Sequence, residues 1–109
     1  MQTFILLTQV SPDVLRSPHM IEVLERQAMT AVRAECPDVE WVASYAVLGP
    51  YDYVDVFRAP DLVTATKVAT LVRVAGHART EVWGAIEWPA FKTMVRQLPE
   101  VGGLVTAGV

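Results

Sequence analysis

A short turn between two strand-like segments constrains the fold of this chain more than any other feature. The turn contains Gly49, which tolerates a positive φ, Pro50, which fixes φ near about −65°, and Asp52, whose carboxylate can hydrogen-bond nearby backbone. Apolar residues alternate along residues 39–47 before the turn, and residues 53–59 after it are rich in β-branched and aromatic side chains. Two such segments joined by a Gly-Pro turn predict an antiparallel hairpin.

The segments around the hairpin complete a βαββαβ order. We predict strands over residues 3–10, 39–47, 53–59 and 79–87, helices over 18–35 and from Asp61 as N-cap to Gly76, and a short helix over 88–97. This order is that of the ferredoxin-like α+β fold, in which two helices cover one face of an antiparallel sheet. We expect one domain over residues 1–98 and a flexible, glycine-rich C-terminal tail over residues 99–109.

Both faces of the predicted sheet are apolar. In the second strand, strict alternation places Trp41 and Tyr45 on one face and Val42 and Ala46 on the other. The chain is 52% hydrophobic, which is high for a small domain. Because the helices cover only one face, we expect a second copy of the protein to cover the other. The sequence therefore predicts a homo-oligomer, a dimer or larger, that associates through a sheet face.

The composition indicates a cellular location and argues against two classes of partner. The net charge of −3 argues against nucleic acid as a partner, since that affinity comes from clustered Lys and Arg. No apolar segment approaches the roughly 20 residues that span a bilayer. The single cysteine, Cys36, cannot form a disulfide within the chain. We therefore expect a cytoplasmic protein with neither a nucleic-acid partner nor a membrane partner.

Three sequence blocks carry a resemblance to a known family. The residues concerned are Gly49, Tyr51, Asp52 and Val54, then Ala59, Pro60 and Asp61, then Gly76, Arg79, Thr80, Glu81 and Ala85. In this order and spacing they resemble the GYD-domain family. The chain departs from the family pattern at Pro50, at Arg58, where an acidic residue is common, and at His77, where Asn is common. The resemblance implies a ferredoxin-like unit of the dimeric α/β-barrel type, and it implies no particular activity.

Two groups of polar residues are candidates for ligand binding. Tyr51 and Asp52 lie at the turn, while His77, Arg79 and Glu81 lie at the start of the last strand. Tyr51 and His77 are the candidate catalytic residues, because a tyrosine can donate a proton and a histidine titrates near neutral pH. Arg79 offers a planar guanidinium for a carboxylate. A small organic ligand is the partner that these residues predict.

Each group also has a structural interpretation. In that interpretation Asp52 only satisfies backbone N–H groups of the turn, and Tyr51 packs over the end of the sheet. In the last strand, Arg79 and Glu81 would form ion pairs with residues of a neighbouring strand, Asp55 and Arg58 being the candidates.

Neither a metal site nor a cofactor site is predicted. His19, His77 and Cys36 are far apart in the sequence and lack the short ligand spacing typical of metal centres. Gly102 and Gly103 are neither preceded by a strand nor followed by a helix, as a phosphate-binding loop requires.

Three kinds of function remain open. The first is an oligomeric small-molecule-binding or regulatory module. The second is a cofactor-independent monooxygenase or isomerase, which the resemblance to dimeric α/β barrels allows. The third is a purely structural subunit of an assembly.

Overall fold

The computed structural model describes residues 1–100, and these form one antiparallel sheet of four strands with three helices. The elements in chain order are β1 (Gln2–Val10), α1 (His19–Glu35), β2 (Glu40–Ala46), β3 (Tyr53–Ala59), α2 (Leu62–Ala75), β4 (Ala78–Ala85) and α3 (Trp88–Gln97). The strand order β2-β3-β1-β4 is ferredoxin-like, so the predicted fold is confirmed. Most of the predicted tail, residues 101–109, lies outside the described residues.

Aromatic side chains of the sheet form the core with small residues of α1 and α2. The Phe57 ring is fully buried and stacks on Phe4 and Trp41, with ring centroids 5.6 and 5.4 Å away. The helix residues packed in the same cluster are Ala28 and Val32 of α1 and Ala65, Val68, Ala69 and Val72 of α2. Truncating a phenylalanine at such a position costs about 3–5 kcal/mol.

Both ends of α2 follow from single residues. The Asp61 carboxylate accepts hydrogen bonds from the backbone N–H and the side-chain hydroxyl of Thr64, each at 2.8 Å, which confirms the predicted N-cap. The helix ends before Gly76, as predicted. A Cβ at Gly76 would lie 2.6 Å from the Val72 carbonyl oxygen and 3.4 Å from the Ala28 Cβ. Glycine therefore allows α2 to end close against α1.

The sheet face opposite α1 and α2 carries a continuous apolar surface, which we call the open face. By strand register it consists of Ile5, Leu7, Ala43, Tyr45, Val54, Val56 and Trp83, with Gln9, Arg58, Arg79 and Glu81 nearer the strand ends. The Tyr45 and Trp83 side chains are 60% and 49% exposed. The expectation of a sheet that is apolar on both faces therefore agrees with the register.

A bulge in β2 changes the predicted assignment of side chains to faces. The register shifts between Trp41 and Ala43, so Trp41 pairs with Phe57 on the helix side while Tyr45 pairs with Val54 on the open face. The prediction that Trp41 and Tyr45 share a face was wrong, because one extra residue in a strand reverses every side chain beyond it.

Candidate functional site

The turn residue Asp52 makes backbone contacts on two sides. Its N–H donates to the Thr8 carbonyl at 2.8 Å, and its Oδ2 accepts from the Val10 N–H at 2.7 Å. Its carbonyl also accepts from the Val47 N–H at 3.2 Å. Asp52 thus joins the hairpin to the end of β1. Tyr51 beside it is half-buried, and its hydroxyl makes no hydrogen bond with the residues that the structure describes.

The backbone of His77 has an unusual conformation. Its φ is 50°, in the left-handed region that Gly, Asn, Asp and His tolerate best. Its carbonyl accepts a hydrogen bond from the Ser11 N–H at 2.9 Å, which continues the pairing of β1 with β4. The position thus follows the end of α2 and starts the turn into β4. The Asn that the family pattern has here suits the same conformation.

His77 and Arg79 line one cleft, which we call the His77 cleft. It has a volume of about 510 Å³ and is lined by Gln9, Val10, Ser11, Pro12, Val14, Arg73, His77, Ala78 and Arg79. Arg73 reaches it from α2 and donates from Nε to the Thr80 hydroxyl at 2.7 Å. Two of the predicted ligand-binding residues therefore lie together, beside a second guanidinium group.

Glu81 lies apart from that cleft, on the open face. Arg79 and Glu81 do project to the same side of β4, since their register partners in β1 are Gln9 and Leu7. The alternative pairing of these two residues with Asp55 or Arg58 was wrong, because β1 separates β4 from β3. Glu81 instead accepts a long hydrogen bond of 3.4 Å from the Trp83 indole, and Arg58 pairs with Glu87 at 2.9 Å.

A second cleft, which the sequence did not predict, lies between the first turns of α1 and the strands β2 and β3. We call it the Asp55 cleft. Its volume is about 410 Å³, and it is lined by Pro18, Ile21, Glu22, Glu25, Ser44, Tyr45, Ala46, Tyr53 and Asp55. The missed signal was in β3, where Tyr53, Asp55 and Phe57 alternate onto the buried helix side. An acidic residue in such a series costs free energy unless it is paired.

Asp55 is the buried charged residue of this cleft, with only 6% of its surface exposed. Its Oδ1 accepts hydrogen bonds from the Ser44 hydroxyl at 2.5 Å and from the Trp41 indole N–H at 3.3 Å. Burial raises the pKa of the Asp55 carboxyl, and the two hydrogen bonds oppose that rise. The carboxyl group is thus fixed in position while it is held away from water.

Two hydroxyl groups lie next to Asp55 on the helix side. Burial, with the charge of Asp55 as a second cause, raises the pKa of Tyr53 to about 12, so this phenol stays protonated near neutral pH. Thr8 is the register partner of Tyr53 and is fully buried. Its hydroxyl has no hydrogen-bond partner of ordinary geometry among the described residues. It is the kind of buried polar atom that calls for an explanation.

Within residues 1–100, no three His, Cys, Asp or Glu side chains are arranged to hold a metal ion. Cys36 is buried, and burial raises the pKa of its thiol, which disfavours the reactive thiolate. Among the described helices, none is long and apolar enough to cross a bilayer.

Comparison with known proteins identifies the family. The model of the GYD domain matches residues 4–95. The chain belongs to the GYD-domain family. A curated relative of this GYD-domain protein is the glutamine synthetase and cystathionine beta-lyase binding protein of Thermus thermophilus. The two are 31% identical over 90 residues, which cover 79% of this chain and 90% of the relative.

Solved structures agree with the fold of the GYD-domain protein. A protein of Thermus thermophilus is 25% identical with a TM-score of 0.54, and the match covers 80% of this chain and 95% of that one. The feast or famine regulatory protein of M. tuberculosis, complexed with L-methionine, is 16% identical with a TM-score of 0.56. The match covers 80% of this chain but only 51% of the mycobacterial regulator, so the GYD-domain protein spans about half of its length.

Proposed function

We propose that this GYD-domain protein is an oligomeric, non-catalytic binding module in which two copies join through their open faces. The observation that carries the proposal is the continuous apolar surface on the side of the sheet opposite α1 and α2. Val54 and Val56 lie at its centre, with Tyr45 and Trp83 on the flanking strands. Monomeric soluble proteins rarely leave so contiguous an apolar surface in water.

The size of the open face is compatible with a dimer. Four strands about eight residues long make a face of roughly 26 by 19 Å, from the usual rise per residue and strand spacing. Two such faces together bury roughly 1,000 Å², which is near the lower limit for a stable interface. Side chains that interdigitate raise the buried area further. Polar Arg79 and Glu81 near one end of the face supply the rim that interfaces usually have.

Light scattering on purified protein tests the dimer. We expect at least twice the chain mass of 12.0 kDa at micromolar concentration. Tyr45→Glu and Trp83→Glu place charges on exposed positions of the open face and should give monomers. Val74→Glu is the matched control, since Val74 lies on α2 and is 72% exposed. A monomeric parent protein, or dimers that survive both open-face variants, would contradict the proposal.

The partner that we propose for the dimer is a metabolic enzyme. The support is the name of the Thermus thermophilus relative, which binds glutamine synthetase and cystathionine beta-lyase. Binding is measured by surface plasmon resonance with each enzyme purified from the same organism as this chain. Saturable binding to either enzyme that an unrelated enzyme does not show supports the proposal. If neither enzyme binds, the proposed enzyme partner is ruled out and the proposed dimer is unaffected.

The placement of the candidate catalytic residues favours a binding module over an enzyme. Among the described residues, the side chains of His77 and Tyr51 make no hydrogen bond that would orient or activate them. They also fail to meet in one cleft, because only His77 lines the His77 cleft. Turnover of aromatic or quinone-like compounds in the absence of cofactor, lost in His77→Ala, would instead favour the monooxygenase or isomerase.

A further inference from the structure

The Asp55 cleft combines three features that a stable core alone does not need. The first is a carboxylate on the helix side of β3, where the neighbouring residue Phe57 is fully buried. Burying a charge costs free energy that an apolar side chain would not cost, so its presence is weak support for a purely structural role. Asp55 nonetheless occupies this position, with Ser44 and Trp41 fixing it from β2.

The second feature is the unused hydrogen-bonding capacity of Asp55. Both hydrogen bonds from β2 end on Oδ1, and no side chain of the described residues donates a hydrogen bond to Oδ2. A carboxylate has room for about four hydrogen bonds on its two oxygens. Since Asp55 lines the cleft, the remaining positions can accept donors from a group inside it.

The third feature lies in the core behind the cleft. It is the buried hydroxyl of Thr8, which does not itself line the cleft and has no hydrogen-bond partner among the described residues. Thr8 and Tyr53 are register partners on the helix side of the sheet, so their side chains are neighbours. Tyr53 itself lines the cleft. A polar ligand in the cleft would therefore meet a phenol that lies beside an unsatisfied buried hydroxyl.

The charges around the cleft decide which ligand suits it. Glu22 and Glu25 of α1 line it together with Asp55, and no lysine or arginine is among its lining residues. Arg26 pairs with Glu22 at 3.0 Å, but both side chains are exposed, so this pair is screened by water. Tyr53 also lines the cleft, and aromatic rings attract cations. An anion would be repelled from this cleft and a cation attracted.

We propose that the Asp55 cleft binds a small organic cation, in which an ammonium group donates to Asp55 and an apolar part packs against Tyr53. Glu25 adds a second negative charge at the mouth. The proposal rests on the function proposed above, for which it names a ligand class, and it places the ligand away from the His77 cleft. The carboxylate of Asp55 is the recognition element, with Ser44 and Trp41 as its positioning residues.

Nuclear magnetic resonance titration with benzylamine tests whether the Asp55 cleft binds an organic cation. Benzyl alcohol and benzoate are the matched neutral and anionic probes. We expect saturable shifts from benzylamine at the amides of Ser44, Tyr53 and Asp55, and none there from benzoate. Asp55→Asn should weaken benzylamine binding by about tenfold or more, as the loss of a charged hydrogen bond predicts. Glu25→Gln changes an exposed residue and should weaken benzylamine binding less than Asp55→Asn does. Asp13→Asn lies outside the cleft and should leave benzylamine binding unchanged.

Several results would overturn the proposal. They are the absence of saturable benzylamine shifts in the cleft, equal affinity for benzyl alcohol, or unchanged benzylamine binding in a folded Asp55→Asn protein. If Asp55→Asn fails to fold, Glu25→Gln and the three probes still decide. Light scattering on the same samples separates this proposal from the previous one. A monomer that binds benzylamine contradicts the dimer alone, and a dimer that does not bind it contradicts the cation site alone.

Discussion

The Asp52 carboxylate accepts a hydrogen bond from the backbone N–H of Val10, a residue 42 positions earlier in the chain, at 2.7 Å. This contact joins the β2–β3 turn to a central strand of the sheet. The turn is held to the last residue of β1, and the strand register of the central pair is fixed at its end. The Asp52 N–H reinforces the contact by donating to Thr8.

Removing the Asp52 carboxylate should therefore destabilise the protein. In Asp52→Ala the N–H of the buried residue Val10 loses its partner, so we expect the free energy of unfolding to fall by about 1–3 kcal/mol. Asp52→Asn keeps an acceptor oxygen, so its free energy of unfolding should fall by less. Urea denaturation followed by circular dichroism measures both variants. An Asp52→Ala protein as stable as the parent would show that the contact contributes nothing.

Asp61 provides the N-cap of α2 and should be replaceable only by another capping residue. Asp61→Ala removes the acceptor of the Thr64 N–H, and we expect the melting temperature to fall by about 4–8 °C. Asp61→Ser is the matched control and should stay near the parent. The hydrogen bonds from Thr64 lower the pKa of the Asp61 carboxyl. Its stabilisation should thus be complete above about pH 4 and be lost as the pH falls through the lowered pKa.

At His77 the backbone rather than the imidazole should control stability. Because φ is 50°, His77→Asn should keep the stability of the parent, whereas the β-branched His77→Val should cost about 1–2 kcal/mol. Ala78→Val, one residue later within β4, is the matched control for a β-branched residue in a strand. Equal urea midpoints for His77→Val and His77→Asn would contradict this account.

The sequence predicted features that depend on local chemistry. The turn around Gly49, which has a φ of 149°, the cap at Asp61 and the end of α2 before Gly76 each follow from one residue and its neighbours. The element order followed from the same signals. The bulge between Trp41 and Ala43 did not, because a strand with apolar residues on both faces shows no break in its pattern where one extra residue is inserted.

The Asp55 cleft was missed for a related reason. Its polar residues come from β2, β3 and α1, and only the fold brings Ser44, Tyr53 and Asp55 together with Glu22 and Glu25. Tyr53 and Asp55 are two positions apart, but this is the ordinary alternation of a strand and does not mark a motif. Asp55 was instead considered as a partner for Arg79, a pairing that the strand order excludes. The placement of His77 and Arg79 in one cleft could be predicted from the sequence, since both residues lie at the start of β4.

Asp55→Asn should separate stability from binding. Because burial raises the pKa of the Asp55 carboxyl, the folded protein binds its proton more tightly than the unfolded chain does. The protonated form therefore favours the fold at low pH, and this contribution is lost as the pH rises from about 4 through the raised pKa. The amide introduced by Asp55→Asn is neutral at every pH and keeps an oxygen that can accept from Ser44 and Trp41.

We therefore expect Asp55→Asn to be at least as stable as the parent at pH 7, and the difference to shrink toward pH 3. Glu22, Glu25 and Tyr53 also face Asp55, so each urea midpoint is compared with that of the parent at the same pH to cancel their titration. Asp13→Asn is the exposed control, and its difference from the parent should not follow this pH dependence. The opposite result is an Asp55→Asn protein that is less stable than the parent at pH 7 and whose stability relative to the parent is no higher at pH 7 than at pH 3. That result would show that the Asp55 charge itself stabilises the fold. A more stable variant that has lost benzylamine binding is the result expected of a residue retained for a ligand at a cost in stability.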